Sequence, residues 1–264
     1  MPLISVITPV YRANPIHLDA TTRGVLGQCL PRGWAVEWII QEDGPESSIK
    51  RAFPPRENIS YEANGEHLGV AASRNIALSR ARGELIQVLD HDDVLLPHAL
   101  ATLVPHFAND SIHWAVGQAD NLNEDGTRTS WESVLPFGPV EAGHANSVAI
   151  ERHGNWVIHC AGLMLRTQVI RALGGWGAGY GDEDLLMFAG LSEVARGYND
   201  PAVTWLYRQH DAQLSRTPES RDRGTRARQT ALQRVSAMRA TNLTITESPI
   251  RQLPVPQAGP AEKY

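Results

Sequence analysis

Only two cysteines, Cys29 and Cys160, occur in 264 residues. That is too few for a disulfide framework, so a reducing compartment is the expectation. No segment approaches the roughly 20 apolar residues of a membrane span. Residues 1–8 carry neither a basic stretch nor an apolar run as long as that of a secretion signal. An excess of positive charge is missing too, since the formal net charge is −5, which gives no overall pull toward nucleic acid. A glycine- and lysine- or arginine-rich phosphate loop is also absent after the first strand-like run, where Pro9-Val10-Tyr11-Arg12-Ala13-Asn14 stands instead. These absences point to a cytoplasmic protein with no nucleic-acid partner. A 42% hydrophobic chain of this length can bury one substantial core, or one core plus a small subdomain.

The most informative stretch is Asp90-His91-Asp92-Asp93, three carboxylates directly behind the apolar run Leu85-Ile86-Gln87-Val88-Leu89. A buried strand through that run would set Asp90 and Asp92 on one face at its C-terminal end and turn Asp93 to the other. Two carboxylates facing one way suit a hard divalent cation, bound through oxygen and shared with substrate phosphates. The alternative is an acidic turn that caps a helix starting near Pro97.

Strand-like and helix-like segments alternate through the first half, the pattern of an α/β sheet with helices on its faces. Residues 3–8 form a β-rich run closed by Pro9. Asn14-Pro15 reads as an N-cap with proline at the first helical position, and Leu18, Val25, Leu26 and Cys29 follow at helical spacing. Residues 34–41 read as a second strand ending in the turn Glu42-Asp43-Gly44-Pro45, and residues 59–62 as a weaker third. The pattern then predicts a helix over 69–82 with Gly83 as its C′ stop, a strand over 85–89, a helix over 97–107 and a strand over 114–119. Residues 121–156 show little periodicity and read as long loops over a binding face. Order returns over 161–173, ahead of Gly174-Gly175-Trp176 and a second acidic cluster, Asp182-Glu183-Asp184. A helix near 221–239 carries six arginines against Asp222, and residues 248–264, with four prolines, are expected to lack fixed structure.

In an open parallel sheet, ligands bind outside the C-terminal strand ends. The segment beginning at Pro9, the Glu42-Asp43 pair and the acidic tetrad all fall at such ends. There Asp43 could accept hydrogen bonds from a nucleobase or ribose, and Tyr11 could stack on a base.

Four segments together carry a family resemblance. Val6-Ile7-Thr8-Pro9-Val10-Tyr11 resembles the opening strand of family 2 glycosyltransferases of the GT-A fold. Gln41-Glu42-Asp43-Gly44 is similar to their Val-Asp-Asp-Gly turn. Gly69-Val70-Ala71-Ala72-Ser73-Arg74-Asn75 resembles their Gly-x-x-x-Ala-Arg-Asn helix start, with Ser73 in place of the usual alanine, and Leu89-Asp90-His91-Asp92-Asp93 their Asp-x-Asp motif. The likeness covers roughly residues 3–215. It implies a Rossmann-like, mostly parallel central sheet flanked by helices, with a C-terminal acceptor-binding part. The chain then divides into a nucleotide-sugar-binding half (1–115), an acceptor-binding and catalytic half (116–220), a basic helix (221–247) and a tail (248–264).

By the same resemblance, Pro9 and Tyr11 line the nucleotide, Asp43 holds the base, and Asp90 approaches the ribose. Asp92 coordinates Mn2+ or Mg2+ with Asp93 in support, and Arg74 contacts the nucleotide or buttresses Asp90. The implied reaction moves a sugar from a nucleoside-diphosphate donor, UDP-linked in most relatives, to an acceptor hydroxyl with inversion.

Gly179-Tyr180-Gly181-Asp182-Glu183-Asp184 resembles the family's Gly-Trp-Gly-Gly-Glu-Asp segment, which makes Asp184 the general base. A shifted register makes it Asp182, and the absence of the family's following arginine leaves that register open. A third reading has the cluster cap a helix over 185–191. Tyr207-Arg208-Gln209-His210 resembles the family's Tyr-Arg-x-His segment, whose histidine approaches the diphosphate or its metal. His159, Trp176, Tyr180 and Glu183 fall where acceptor- or sugar-facing residues are placed. Acceptors in the family are small molecules, lipid carriers or glycans. The basic helix reads as a solvated face, a peripheral membrane contact or a homodimer interface. Two other functions stand beside this one: a sugar nucleotidyltransferase, and a non-catalytic nucleotide-sugar-binding protein.

Overall fold

The computed structural model describes residues 1–156, 158–177, 182–211, 213 and 218–247. The first strand, β1 (Leu3–Val10), is buried along nearly its whole length, as expected of a strand covered on both faces. Helix α1 (Pro15–Leu26) follows, its first turn capped where the Asn14 side chain accepts from the Ile16 N–H at 2.9 Å. Then come β2 (Ala35–Glu42), β3 (Ile59–Ala63), α2 (Val70–Arg80) and β4 (Leu85–Val88). These four strands lie in the order β3-β2-β1-β4 and are all parallel. The chain leaves β1 for one side and later returns to its other side, so a crevice opens beyond the C-terminal ends of β1 and β4.

The second half adds β5 (Val94–Leu95), α3 (Ala99–Leu103), β6 (Trp114–Leu122), β7 (Arg128–Ser130), β8 (Gly138–Val140), α4 (His144–Glu151), β9 (Met164–Arg166), α5 (Thr167–Ala172), α6 (Glu183–Val194), β10 (Gly197–Arg208) and α7 (Pro218–Thr241). The sheet continues as β9-β6-β10-β5, with β7 on β6 and β8 on β10. Strand β9 is antiparallel to both β4 and β6, so the sheet is mixed, with its parallel run concentrated in the first four strands. Strands of both halves of the chain hydrogen-bond in this one sheet.

Apolar side chains of the strands meet helices on both faces. On one, Ile7, Val88 and Leu165 pack with Ala77, Ile170, Phe188 and Leu191. On the other, Val6 and Leu89 pack with Leu18 and Val25. Helix α7 lies on α6 through Ala231 and Val235 against Leu186 and Ala189. Some of its arginines bond to the protein: Arg234 donates to the Leu186 carbonyl at 3.0 Å, and Arg239 pairs with Glu193 at 2.7 Å. Among the described residues no helix is long and apolar enough to cross a membrane.

Several elements differ from their sequence patterns. Helix α3 starts after Pro97 and is only five residues long, passing into a 3-10 turn over Val104–Ala108, where Pro105 removes a helical donor. Residues 121–156 contain β7, β8 and the short helix α4, each too brief to show a period. The long strand β10 is hidden by an irregular pairing with β6 between Asn199 and Trp205. Residues 248–264 lie outside the described residues.

Gly83 is not a left-handed C′ stop, because α2 already ends at Arg80. It is a glycine for proximity: a Cβ there would sit 2.6 Å from the Ser5 backbone nitrogen and 2.8 Å from the Leu3 carbonyl oxygen. Gly83→Ala therefore forces β1 and the α2–β4 connection apart. It should lower stability by about 1–3 kcal/mol, read as a reduced thermal midpoint. An unchanged midpoint would show that this approach is not tight.

Candidate active site

Three groups of side chains gather at the C-terminal ends of the parallel strands, and each is held by a different element. The largest centres on Arg74, in the second turn of α2. Its Nη2 donates to Asp90 Oδ1 at 2.5 Å, and its Nη1 donates to Glu183 Oε1 at 2.7 Å and Asp184 Oδ1 at 2.6 Å. Only 2% of the Arg74 side chain is exposed. Burial works against its charge, but Asp184, Asp90 and Glu183 more than offset that and raise its pKa. The acids feel the converse. Burial pushes Asp184 up to about 7, aided by the negative charges of Glu183 and Asp90, while Arg74 and a hydrogen bond from Trp176 pull it down. A carboxyl that titrates near neutrality in a cleft is suited to proton transfer.

The second group is built around the end of the acidic tetrad. After β4 the chain makes a turn, with the Asp93 N–H on the Asp90 carbonyl at 3.3 Å, and this turn rather than the pleat separates the acids. Asp90 and Asp92 stay partly exposed, whereas Asp93 is 1% exposed. Asp93 accepts the Arg208 N–H at 2.9 Å, and its own carbonyl accepts from Thr21 Oγ1 at 2.7 Å. Burial and the charges of Asp92 and Asp90 raise its pKa well above the carboxylate range. Asp93 thus ties α1, the acidic turn and β10 together and does not line the opening.

Asp92 Oδ2 lies 2.9 Å from His210 Nε2, and Arg208 Nε donates to the Asp92 carbonyl at 2.8 Å. Burial would raise Asp92, but His91 and His210 outweigh it and hold it below its ordinary value. The His17 ring is 5.0 Å from that of His210, and burial, then the nearby Arg208 and His210, lower its pKa. The acidic tetrad does not cap α3, whose cap residue His98 makes no side-chain cap bond.

Among the described residues no cluster of three or more His, Cys, Asp or Glu side chains is arranged to enclose a metal ion. Asp92 and His210 offer two adjoining donors. One or two protein ligands completed by phosphate oxygens is the usual arrangement for a cation carried with a diphosphate, so this donor set fits that use.

The third group lies beyond β2. Asp43 accepts the Leu68 N–H at 2.7 Å, the Gly69 N–H at 3.0 and 3.1 Å and the Asn64 amide at 3.1 Å, and its Oδ2 is 2.8 Å from His67 Nδ1. Tyr11 stacks on the His67 ring at 4.4 Å. Pro9 is buried within β1 opposite Gln41. Asp43 and Tyr11 therefore share one corner of the crevice, with the carboxylate already bonded to the loop that opens α2.

The second acidic cluster splits. Glu183 and Asp184 turn to Arg74, but Asp182, at a left-handed φ of 47°, turns toward α7. A Cβ added at Gly224 would lie 2.9 Å from Asp182 Oδ2. Asp182 makes no side-chain cap bond to α6. Trp176 is 1% exposed, so its ring faces are packed in the core and offer no stacking platform. Tyr180 lies outside the described residues.

His159 joins an aromatic group, 4.2 Å from Trp131 and 5.1 Å from Tyr207, beside a small pocket that Gln118 and Asn199 also line. Burial pushes its imidazole down to about 4, so it is neutral at physiological pH. Sequence reading missed His17, His67, Trp131 and Asn75. Only Asn75 had a signal, its place beside Arg74.

Residues 5–173 match the family model described as Glycosyl transferase family 2. An uncharacterized protein of Mycobacterium tuberculosis is 28% identical over 190 residues, which cover 66% of this chain and 57% of that protein. Glycosyltransferase GlyG of Streptococcus pneumoniae is 26% identical over 170 residues, covering 62% of this chain and 55% of that one. The chain thus spans a little over half the length of these two relatives. The crystal structure of S. aureus TarS 1–349 superposes with a TM-score of 0.58 at 15% identity, covering 79% of this chain and 60% of that one, a likeness that shows the GT-A fold.

The buried cation carries the first group. Arg74→Met would leave Asp90, Glu183 and Asp184 crowded without their shared cation, and breaking a buried ion pair in this way costs about 3–5 kcal/mol. Thermal or denaturant unfolding should show that loss, with Arg74→Lys recovering part of it because the charge returns without the planar fork. Equal stability of Arg74→Met and wild type would mean that the three acids do not depend on the guanidinium.

Proposed function

The chain belongs to glycosyl transferase family 2, and we propose that it moves a sugar from a nucleoside-diphosphate donor, UDP-linked, to an acceptor hydroxyl with inversion, using Mn2+ or Mg2+. The observation that carries this reading is the division of the acids into two sets with different partners. Asp92 adjoins His210, whereas Asp184, Glu183 and Asp90 converge on Arg74. A transfer of this kind needs both a place for a departing diphosphate and a separate proton acceptor.

Asp43 and Tyr11 offer the base-binding corner, and Asp92 with His210 would hold the cation. When bound, the cation stabilises the negative charge that accumulates on the leaving diphosphate. Arg208, one bond from Asp92, adds positive charge at the same place. As the acceptor oxygen bonds to the anomeric carbon and the bond to the diphosphate oxygen breaks, the hydroxyl proton passes to Asp184. A single displacement with one base inverts the anomeric centre. Asp182, turned to α7, is not placed with this group, which favours Asp184 as the base.

The pH dependence follows from the base. Asp184 acts only when ionised, and it is pushed up to about 7, so the rate should rise as pH climbs through neutrality and fall away below it.

Two substitutions separate the roles. Asp92→Asn should weaken Mn2+-dependent nucleotide binding by about tenfold or more. Asp184→Asn should leave that binding intact and slow transfer by about a hundredfold or more. Thermal-shift screening of nucleotide sugars with Mn2+ identifies the donor for these assays, since a ligand that binds the native state raises its midpoint. Asp184→Asn turning over at the wild-type rate would remove the base assignment.

A further inference from the structure

Helix α2 reaches the catalytic cluster twice. Arg74 binds the acids directly, but the next residue touches none of them. Asn75 Oδ1 instead accepts the Trp176 N–H at 2.9 Å, and its Nδ2 donates to the Trp176 carbonyl at 2.8 Å. One side chain thereby satisfies both main-chain polar groups of a buried residue. The approach depends on glycine: a Cβ at Gly175 would lie 2.1 Å from Asn75 Oδ1, and Gly174 and Gly175 hold φ angles of 85° and 71°. From this bracket the Trp176 indole Nε1 donates to Asp184 Oδ1 at 2.9 Å, the same oxygen that Arg74 Nη1 reaches at 2.6 Å.

We propose that Trp176 is a positioning residue for Asp184, and that Asn75 is the residue that positions Trp176. The inference rests on the reading of Asp184 as the base. An indole N–H is a donor only. It favours the ionised carboxylate and fixes its plane, and it cannot take the proton that Asp184 accepts. Buried and bracketed at both ends of its peptide, the donor needs no reorganisation as the proton moves. Among the described residues, the charged groups facing Asp184 include Arg74 from α2, Glu183 from α6 and Asp90 beyond β4, so the indole acts with Arg74 against the two acids. The neighbouring Arg74-Asn75 and Gly174-Gly175-Trp176 segments are then two halves of one clamp on the base.

Indole 1H–15N spectra of the labelled full chain test this without a substrate. The Trp176 resonance, identified by its loss in Trp176→Phe, should move with pH in the wild type and cease to move in Asp184→Asn. Asn75→Ala should displace that resonance and reduce its response, and serves if Trp176→Phe does not fold. In turnover with the donor found by thermal shift, or with UDP-glucose hydrolysis, Trp176→Phe should lower kcat about tenfold. The donor KM should be unchanged, and the acidic limb should move to higher pH. A Trp176 resonance indifferent both to pH and to Asp184→Asn overturns the proposal. Full turnover by Asp184→Asn overturns the base reading instead, a result that the spectra do not produce, so the two failures are distinguishable.

Discussion

A guanidinium buried among three carboxylates is the constraint around which this molecule is arranged. An unpaired cation at that depth would be strongly disfavoured, and so would the acids without it. Arg74 resolves both by drawing together residues that lie far apart in sequence: Asp90 beyond β4, and Glu183 with Asp184 at the start of α6. The pairing therefore fixes where α6 begins relative to the sheet. Three ionised acids around one cation would leave two negative charges uncompensated, and that imbalance, added to burial, lifts Asp184 toward neutrality.

In the proposed reaction the arrangement would also separate two electrostatic tasks that interfere at one point. A metal and a diphosphate require acids that stay ionised, and Asp92 is held low by His91 and His210. A proton acceptor requires an acid that exchanges its proton near working pH, and the Arg74 cluster supplies that environment. Between them, Asp93 gives up any contact with the opening and becomes a tie, bonded to the Arg208 N–H while Thr21 holds its carbonyl. The same turn thus contributes one side chain to each cluster and one to the scaffold.

Much of this was legible in the residues. The strands β1, β2 and β4 showed because buried parallel strands are largely apolar runs, and the acidic tetrad stood out at the end of one, whereas the edge strand β3 is half exposed and read more weakly. The withdrawal of Asp93 was legible too, although a turn produces it and not the alternation of a strand, but Asp90 and Asp92, expected to face one way for a single cation, part to Arg74 and to His210. What could not be read was tertiary. Trp176 looks like a sugar platform in sequence because aromatic composition does not reveal burial, and only the fold shows its faces covered and its N–H on Asp184. Asp182 and Asp184 are indistinguishable by type and spacing. They part because Asp182 adopts a left-handed backbone that sends its carboxylate to α7. Strand β10 escaped notice because its pairing with β6 is interrupted, which breaks the period that pattern reading relies on.

In the proposed function the crevice holds two acidic sites with distinct partners, a cation site at Asp92 and His210 and a proton site at Arg74. Anomalous diffraction at the manganese edge, from crystals grown with Mn2+ and uridine diphosphate, distinguishes the two sites. One anomalous peak beside Asp92 and His210 is expected, with Arg74 still bonded to Asp184. A peak among Asp90, Glu183 and Asp184, or no peak with the nucleotide bound, would contradict it.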